Sequence, residues 1–278
     1  MIKVCIKGTI SNKKFGVKCN MTKGKEKNDR KLVVFFYSHT WTTEMHYMYE
    51  ICKNLGVDFL WLFTGKSSKK EIYALLKKQK VEDFRNIHLI AQNVKDHINT
   101  PVMYQMLKLY CEKNIWFLRL DNDEIISAIN LKYMQEFIKD CNQSISYGIG
   151  RIWINKINNQ YYFSKIARTV GQKYDIVYRL FKLKNVRPVT GMHSGGVGPR
   201  VKQNYNFGTL INHHTYLNEN LESRINKIKT YEEISSGAGL SKLRHYLPEI
   251  FPSNIWEKLD SNQTMLEKDF ESFTKLVY

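Results

Sequence analysis

No apolar run in this chain approaches the ~20 residues that a membrane-spanning helix needs. The opening MIKVCIKGTISNKK holds too short an apolar stretch for a secretory leader. Both point to a soluble protein of the cytoplasm. Cysteine is sparse too: the five (Cys5, Cys19, Cys52, Cys111, Cys141) are scattered, odd in number and never spaced CxxC. That argues against a disulfide framework or a zinc site. Five prolines and no Pro/Ser-rich stretch leave nothing to read as an interdomain linker. Helix-turn-helix and zinc-finger patterns are missing, so sequence-specific DNA reading has no support. Acidic charge is scarce, with 26 Asp+Glu against 43 Lys+Arg and a net charge of +17. Such an excess draws polyanions: nucleic acid, an anionic membrane surface or phosphorylated substrates. Lys outnumbers Arg, and Asn and Ile are abundant, as an AT-rich genome imposes. The charge is therefore either functional or compositional.

What the chain does have is a core. Its 278 residues are 43% hydrophobic and 13% aromatic, enough for one large domain or two small ones. The organising stretch is IWFLRLDNDE, Ile115 to Glu124. A short apolar run fits a strand buried on both faces, and it stops where its carboxylates must reach water. Asp121 and Asp123 are two apart, so in an extended segment they point the same way and converge on one cation at a strand end. A hard divalent ion takes oxygen ligands and bridges phosphates. Open α/β sheets bind ligands at the carboxyl ends of their strands. The plain alternative is a strand followed by an acidic turn and a helix cap.

The rest of the chain supplies a frame. Residues 1–31 are Lys-rich, with two short strands around Ser11-Asn12 expected as a hairpin. LVVFFY (32–37) reads as a buried strand. A helix capped by Thr40 or Thr42 follows, with Met45, Met48, Tyr49 and Cys52 on one face and Gly56 as its stop. VDFLWLF (57–63) is a second strand. Ser68 and Glu71 form a capping box for the next helix. Residues 86–91 make a third strand, and Thr100-Pro101 opens another helix. This is β-α-β-α-β-α-β, hence a parallel sheet in a three-layer α/β/α domain. Beyond the acidic cluster come a helix through Leu131, Met134, Phe137 and Ile138, then a hairpin turning at Asn158-Asn159. A strand over 176–183, the Gly-rich loop GMHSGGVGPR and the short strand TLINH ending in His213-His214 follow. From Leu217 to Tyr278 the pattern is read as helical.

This order of parts resembles the GT-A glycosyltransferases, and most closely family-2 members with an LDxDE signature, here Leu120-Asp121-Asn122-Asp123-Glu124. Tyr178-Arg179-Leu180-Phe181-Lys182 resembles the RLF(R/K) strand of such members. Met192-His193 and Asn212-His213-His214 resemble their later His positions. The resemblance covers roughly 32–215. It implies a catalytic domain over 32–215 (a nucleotide-binding half, 32–124, and an acceptor half, 125–215), preceded by the basic extension 1–31 and followed by a helical extension, 216–278. It also implies a mostly parallel central sheet and a mixed β second half. The sequence departs from the family after the second strand, where Phe63-Thr64-Gly65-Lys66 offers no acid for the donor base; Asp96 is the alternative.

The activity so implied is metal-dependent transfer of a hexosyl or pentosyl group from a nucleotide sugar, such as a UDP-sugar, to a hydroxyl, with inversion. Mn²⁺ or Mg²⁺ is the expected cofactor, and imidazole favours Mn²⁺. By this resemblance Asp123 is the direct metal ligand, Asp121 holds the ribose or a metal-bound water, and His213 or His193 completes the shell. Arg168, Arg179 and Lys182 are candidates to neutralise the diphosphate. Glu124 and Asp175 are candidates for the general base, and the loop Gly191 to Gly198 for a lid. For the acceptor, the charge suggests DNA carrying hydroxylated bases, as in a viral enzyme working in the host cytoplasm. The basic N-terminus and Arg224, Lys227 and Lys229 would then track phosphates. The alternatives are a bacterial glycan or lipid-linked acceptor, a non-catalytic nucleic-acid-binding protein, or another metal-dependent phosphoryl enzyme.

Overall fold

The computed structural model describes residues 4–7, 30–78, 81, 87–92, 102–110, 115–189, 197–204, 210–251 and 255–259. The first half alternates strand and helix: β1 (Val4–Lys7), β2 (Lys31–Ser38), α1 (Thr43–Leu55), β3 (Asp58–Phe63), α2 (Lys69–Lys78), β4 (Ile87–Gln92), α3 (Val102–Tyr110) and β5 (Ile115–Leu120). The second half is mixed: β6 (Glu124–Ile125), α4 (Ala128–Asp140), β7 (Ser146–Ile157), β8 (Gln160–Ser164), β9 (Asp175–Phe181), β10 (Val186–Pro188), β11 (Val197–Pro199), β12 (Lys202–Asn204) and β13 (Leu210–His213). It closes with α5 (Thr215–Asn218), α6 (Leu221–Ile234), α7 (Leu243–Tyr246) and β14 (Trp256–Lys258).

The main sheet runs β1-β4-β3-β2-β5-β9-β7-β13-β6, parallel from β1 through β5 and mixed beyond. β5 is thus central, as a doubly buried run of Ile, Trp, Phe and Leu requires. Alternation along β2 splits the core. Val34 and Phe36 face α1, α2 and α4, whereas Val33 and Phe35 face α3. The result is the GT-A-like three-layer α/β/α arrangement expected from the sequence. The chain reverses its direction of winding between β2 and β5, and the carboxyl ends of those strands flank the site.

Local signals explain the boundaries. Thr42 caps α1, accepting from the Met45 N–H, and Gly56 ends it at φ 65°, in the left-handed region glycine tolerates. Ser68 and Glu71 exchange their capping-box hydrogen bonds. Asn158 and Asn159, at φ 50° and 59°, make the tight β7–β8 turn.

Two expectations are corrected. β1 pairs in parallel with β4, so residues 4–7 belong to the main sheet; the rest of the expected hairpin lies outside the described residues. Trp256 to Lys258 is a strand, not a helix, because its backbone groups complete the open edge of β8. Among the described residues no helix is long and apolar enough to cross a membrane.

Candidate active site

Just past β5 the chain folds back on itself. The Glu124 N–H donates to the Asp121 carbonyl at 3.0 Å, and the Asp121 N–H donates to Glu124 Oε2 at 2.8 Å. This turn leads straight into β6, which pairs with β13 so that Glu124 stands opposite His213. The pairing is what brings a distant histidine to the acidic cluster. His213 Nε2 lies 3.7 Å from Asp123 Oδ1. The Thr215 hydroxyl donates to Asp123 Oδ2 at 3.0 Å, and the His214 N–H donates to the Asp123 carbonyl at 2.8 Å. Trp153 stacks on the His213 ring at 3.9 Å between centroids and fixes its plane.

Three arginines underlie the cluster, one each from β5, β9 and β7. Arg119 Nη2 donates to Asp121 Oδ1 at 2.9 Å, and Arg179 grips both Asp121 oxygens as a fork. Arg151 Nη1 donates to Glu124 Oε1 at 2.8 Å, and its Nε donates to Asp175 Oδ2 at 2.9 Å. A register shift at Tyr147/Gly148 sets Arg151 directly opposite Asp175 in the β7–β9 pair. Asp121, Asp175, His213, Trp153 and the three arginines line a polar cleft of about 350 Å³, closed on one side by Lys242 and His245 from the C-terminal segment.

The electrostatics separate the carboxylates. Burial opposes the charge on Asp121, but Arg179 and Arg119 hold it well below the usual carboxylate range. Asp123 is likewise buried yet lowered, by the His213 and Lys227 side. Burial pushes Glu124 up, against the pull of Arg179 and Arg151. Asp175 is burdened by burial and still strongly lowered by Arg151. Burial drives His213 down to about 3, so its imidazole is neutral at neutral pH.

Several expected residues gather here, and others do not. Asp121, Asp123, Glu124, Asp175, Arg179 and His213 come together. Glu124 has no exposed surface and both its oxygens are engaged, so it reaches no substrate hydroxyl and instead braces the arginines. Asp121 is taken by two guanidiniums, those of Arg119 and Arg179. Lys182 lies over the Trp116 ring at 5.6 Å, five residues and roughly 16 Å back along β5 from Asp121. Arg168 lines a separate groove. Arg224 pairs with Glu249 and Lys227 with Glu219, so neither offers a free charge to a phosphate track. Asp96, His193 and most of the Gly191–Gly198 loop lie outside the described residues. Arg119, Arg151, Trp153 and His245 were missed. Arg151, a charge inside the apolar strand Ile149 to Ile154, was the available signal for one of them.

A divalent cation fits this donor set in part. Asp123 Oδ1 and His213 Nε2, an oxygen and a nitrogen donor 3.7 Å apart, are too far apart to hydrogen-bond. Thr215 N–H faces the other ring nitrogen of His213 at 3.3 Å, a weak contact that ligation through Nε2 gives up. Among the described residues no group of three or more His, Cys, Asp or Glu is arranged to hold a metal. The chain thus offers two ligands, and phosphate oxygens and water supply the others in such sites.

No family model matches the chain, and no curated protein matches it. Among solved structures, S. aureus TarS 1–349 in complex with UDP-GlcNAc matches at 16% identity, over 51% of this chain and 37% of that one, with a TM-score of 0.29. S. aureus TarS 1–349 in a second structure matches at 8% identity, over 79% and 73%, with a TM-score of 0.35. The inositol-1-phosphate CTP transferase from T. maritima matches at 12% identity, over 90% and 96%, with a TM-score of 0.33. The first match spans little more than a third of that protein's chain.

Proposed function

We propose that the chain is a glycosyltransferase that moves a sugar from a nucleoside-diphosphate sugar to a hydroxyl, with inversion. The observation that carries this reading is the Asp123–His213 pair beside arginine-held Asp121, at the carboxyl end of the central strand. A diphosphate leaving group needs concentrated positive charge where its own charge develops. Arg119 and Arg179, oriented by Asp121, present it from the floor of the cleft. Mn²⁺ or Mg²⁺ held by Asp123 and His213 would add Lewis-acid stabilisation of the departing diphosphate.

Asp175 is the base in this reading. Its Oδ2 is committed to Arg151 and Trp153, while among the described residues Oδ1 meets the Thr169 hydroxyl at 3.4 Å and His245 at 4.0 Å. The acceptor oxygen attacks the anomeric carbon and forms the new C–O bond. The bond from that carbon to the phosphate oxygen breaks, and the acceptor proton passes to Asp175 Oδ1. The nucleoside diphosphate leaves with the bonding pair. A two-metal phosphoryl transfer has weaker support, since the further carboxylates near Asp121, those of Glu124 and Asp175, are both tied to Arg151.

The favoured acceptor is a hydroxylated base in DNA, supported by the net charge of +17; a bacterial glycan or lipid-linked hydroxyl is the alternative. Incubation of a hydroxymethylated oligonucleotide with a panel of nucleotide sugars and Mn²⁺ tests both levels. A mass gain of one sugar on the oligonucleotide is expected. Consumption of donor without that gain rejects DNA as acceptor, and no consumption of any donor rejects the transferase.

A further inference from the structure

The segment 240–246, a 3₁₀ turn (Leu240–Lys242) running into α7, is a wall between two cavities. On one side Lys242, His245 and Tyr246 face the candidate active cleft. On the other, Leu240, Leu243 and Arg244 join Ile166, Arg168 and Phe251 around a second groove, also of about 350 Å³. The wall is firmly built. Glu232 accepts from the N–H groups of Gly237, Gly239 and Leu240 at 2.6, 3.0 and 3.2 Å. Arg224 Nη1 donates to the Tyr246 carbonyl at 2.8 Å, and the Tyr216 hydroxyl donates to the His245 carbonyl.

The carboxylates of Asp121 and Asp175 in the cleft, and of Glu124 buried beneath it, are each matched to an arginine. Among the described residues no carboxylate lies within ion-pair distance of Lys242, Arg168 or Arg244. Lys242 is half-buried, and the carboxylate whose charge reaches it, Asp175, is already bound by Arg151. Arg168 and Arg244 are exposed guanidiniums, whose planar fork matches phosphate. Beside them Leu240 is 62% and Phe251 38% exposed, an apolar and aromatic platform next to cations. Cations interleaved with an exposed aromatic are what single-stranded nucleic acid uses, phosphate on charge and base on ring. A bare phosphate polymer has no use for the ring, and duplex DNA keeps its bases stacked away from it.

We infer that segment 240–246 is the acceptor-binding wall and that its occupant is a single-stranded stretch of nucleic acid, with one phosphate each at Lys242, Arg168 and Arg244, and a base against Phe251. This deepens the transferase reading and rests on it for the word acceptor; the surface itself stands on geometry alone.

The test is fluorescence anisotropy of the full chain with a labelled single-stranded oligonucleotide of about 16 nucleotides across a salt series. Arg168→Ala/Arg244→Ala is compared with Lys77→Ala/Lys78→Ala, which removes equal charge from the exposed end of α2. The first pair is expected to weaken binding about tenfold or more, with a salt slope lower by about 1.4, two phosphates' worth. The α2 pair is expected to leave that slope within about 0.7, one phosphate's worth. Unchanged melting temperatures confirm that the variants fold, and Lys242→Ala checks the cleft side of the wall by the same readout. Equal losses from both pairs overturn the inference, because the binding then reflects net charge alone. No binding at low salt, tighter binding to duplex, or a preference for vesicles of anionic lipid overturns it too. The measurement needs no nucleotide sugar. A failed transferase assay beside a selective Arg168/Arg244 effect removes the enzyme and leaves the surface, and the reverse outcome removes only the surface.

Discussion

Arg151 stands directly across the β7–β9 pair from Asp175, and its guanidinium joins that carboxylate to the fully buried Glu124. One side chain therefore neutralises two acids from different parts of the chain. Removing it takes the main partner from Asp175 and one of two guanidiniums from Glu124, in a water-poor site. Arg151→Ala is expected to destabilise the fold by about 3–5 kcal/mol, read from urea unfolding. Arg151→Lys is expected to recover only part of this, since an ammonium cannot fork between two carboxylates. A loss below about 1 kcal/mol would show that the network is not needed for stability.

The register that creates this pairing depends on Gly148. A Cβ there would stand 2.7 Å from Ile176 Cγ2 and 3.1 Å from Tyr178 Cε1, both on β9. Gly148→Ala is expected to cost about 1–3 kcal/mol through overpacking, measured by the shift of the thermal midpoint. An unchanged midpoint would mean that β7 and β9 have room to separate.

His245 gives the protein an acid-side weakness. Burial drives its imidazole down to about 4, against the raising pull of Asp175. Unfolded, the ring titrates near 6.5. Between pH 6.5 and about 4 the unfolded chain binds a proton that the folded chain refuses, so stability falls as pH falls through that window. The slope for one such group reaches about 1.4 kcal/mol per pH unit. His245→Asn is expected to flatten the profile by that amount; parallel profiles for variant and wild type would count against a neutral buried ring.

Much of the frame was written in local pattern. Thr42 and Gly56 bound α1, Ser68 and Glu71 open α2, and the all-apolar β2, β3 and β5 lie inside the sheet, because caps and buried strands are set by neighbours in sequence. Asp121 and Asp123 were legible for the same reason. His213 could be suspected but not paired, since only the β6–β13 register brings it to Asp123. Arg119, Arg151 and His245 act through partners 2 to 70 residues away, and only folding reveals which arginine claims which acid. β14 was misread because Trp256 and Leu259 also fit a helix period, and the open edge of β8 decided otherwise.

In the metal-dependent reading His213→Asn removes the nitrogen ligand, and it also removes the ring on which Trp153 stacks, so its melting temperature is measured beside its cation affinity. Mn²⁺ affinity is expected to fall by about tenfold or more, followed by electron paramagnetic resonance of free Mn²⁺. Equal affinity in variant and wild type would place any cation elsewhere.

The most direct measurement is Mn²⁺-dependent release of nucleoside diphosphate from a panel of nucleotide sugars by wild type and Asp123→Asn. Wild type is expected to release nucleoside diphosphate from at least one donor, and the variant, melting at the same temperature, about 10²-fold more slowly or less. Equal release by both, or none from any donor, would contradict a diphosphate-directed site at Asp123.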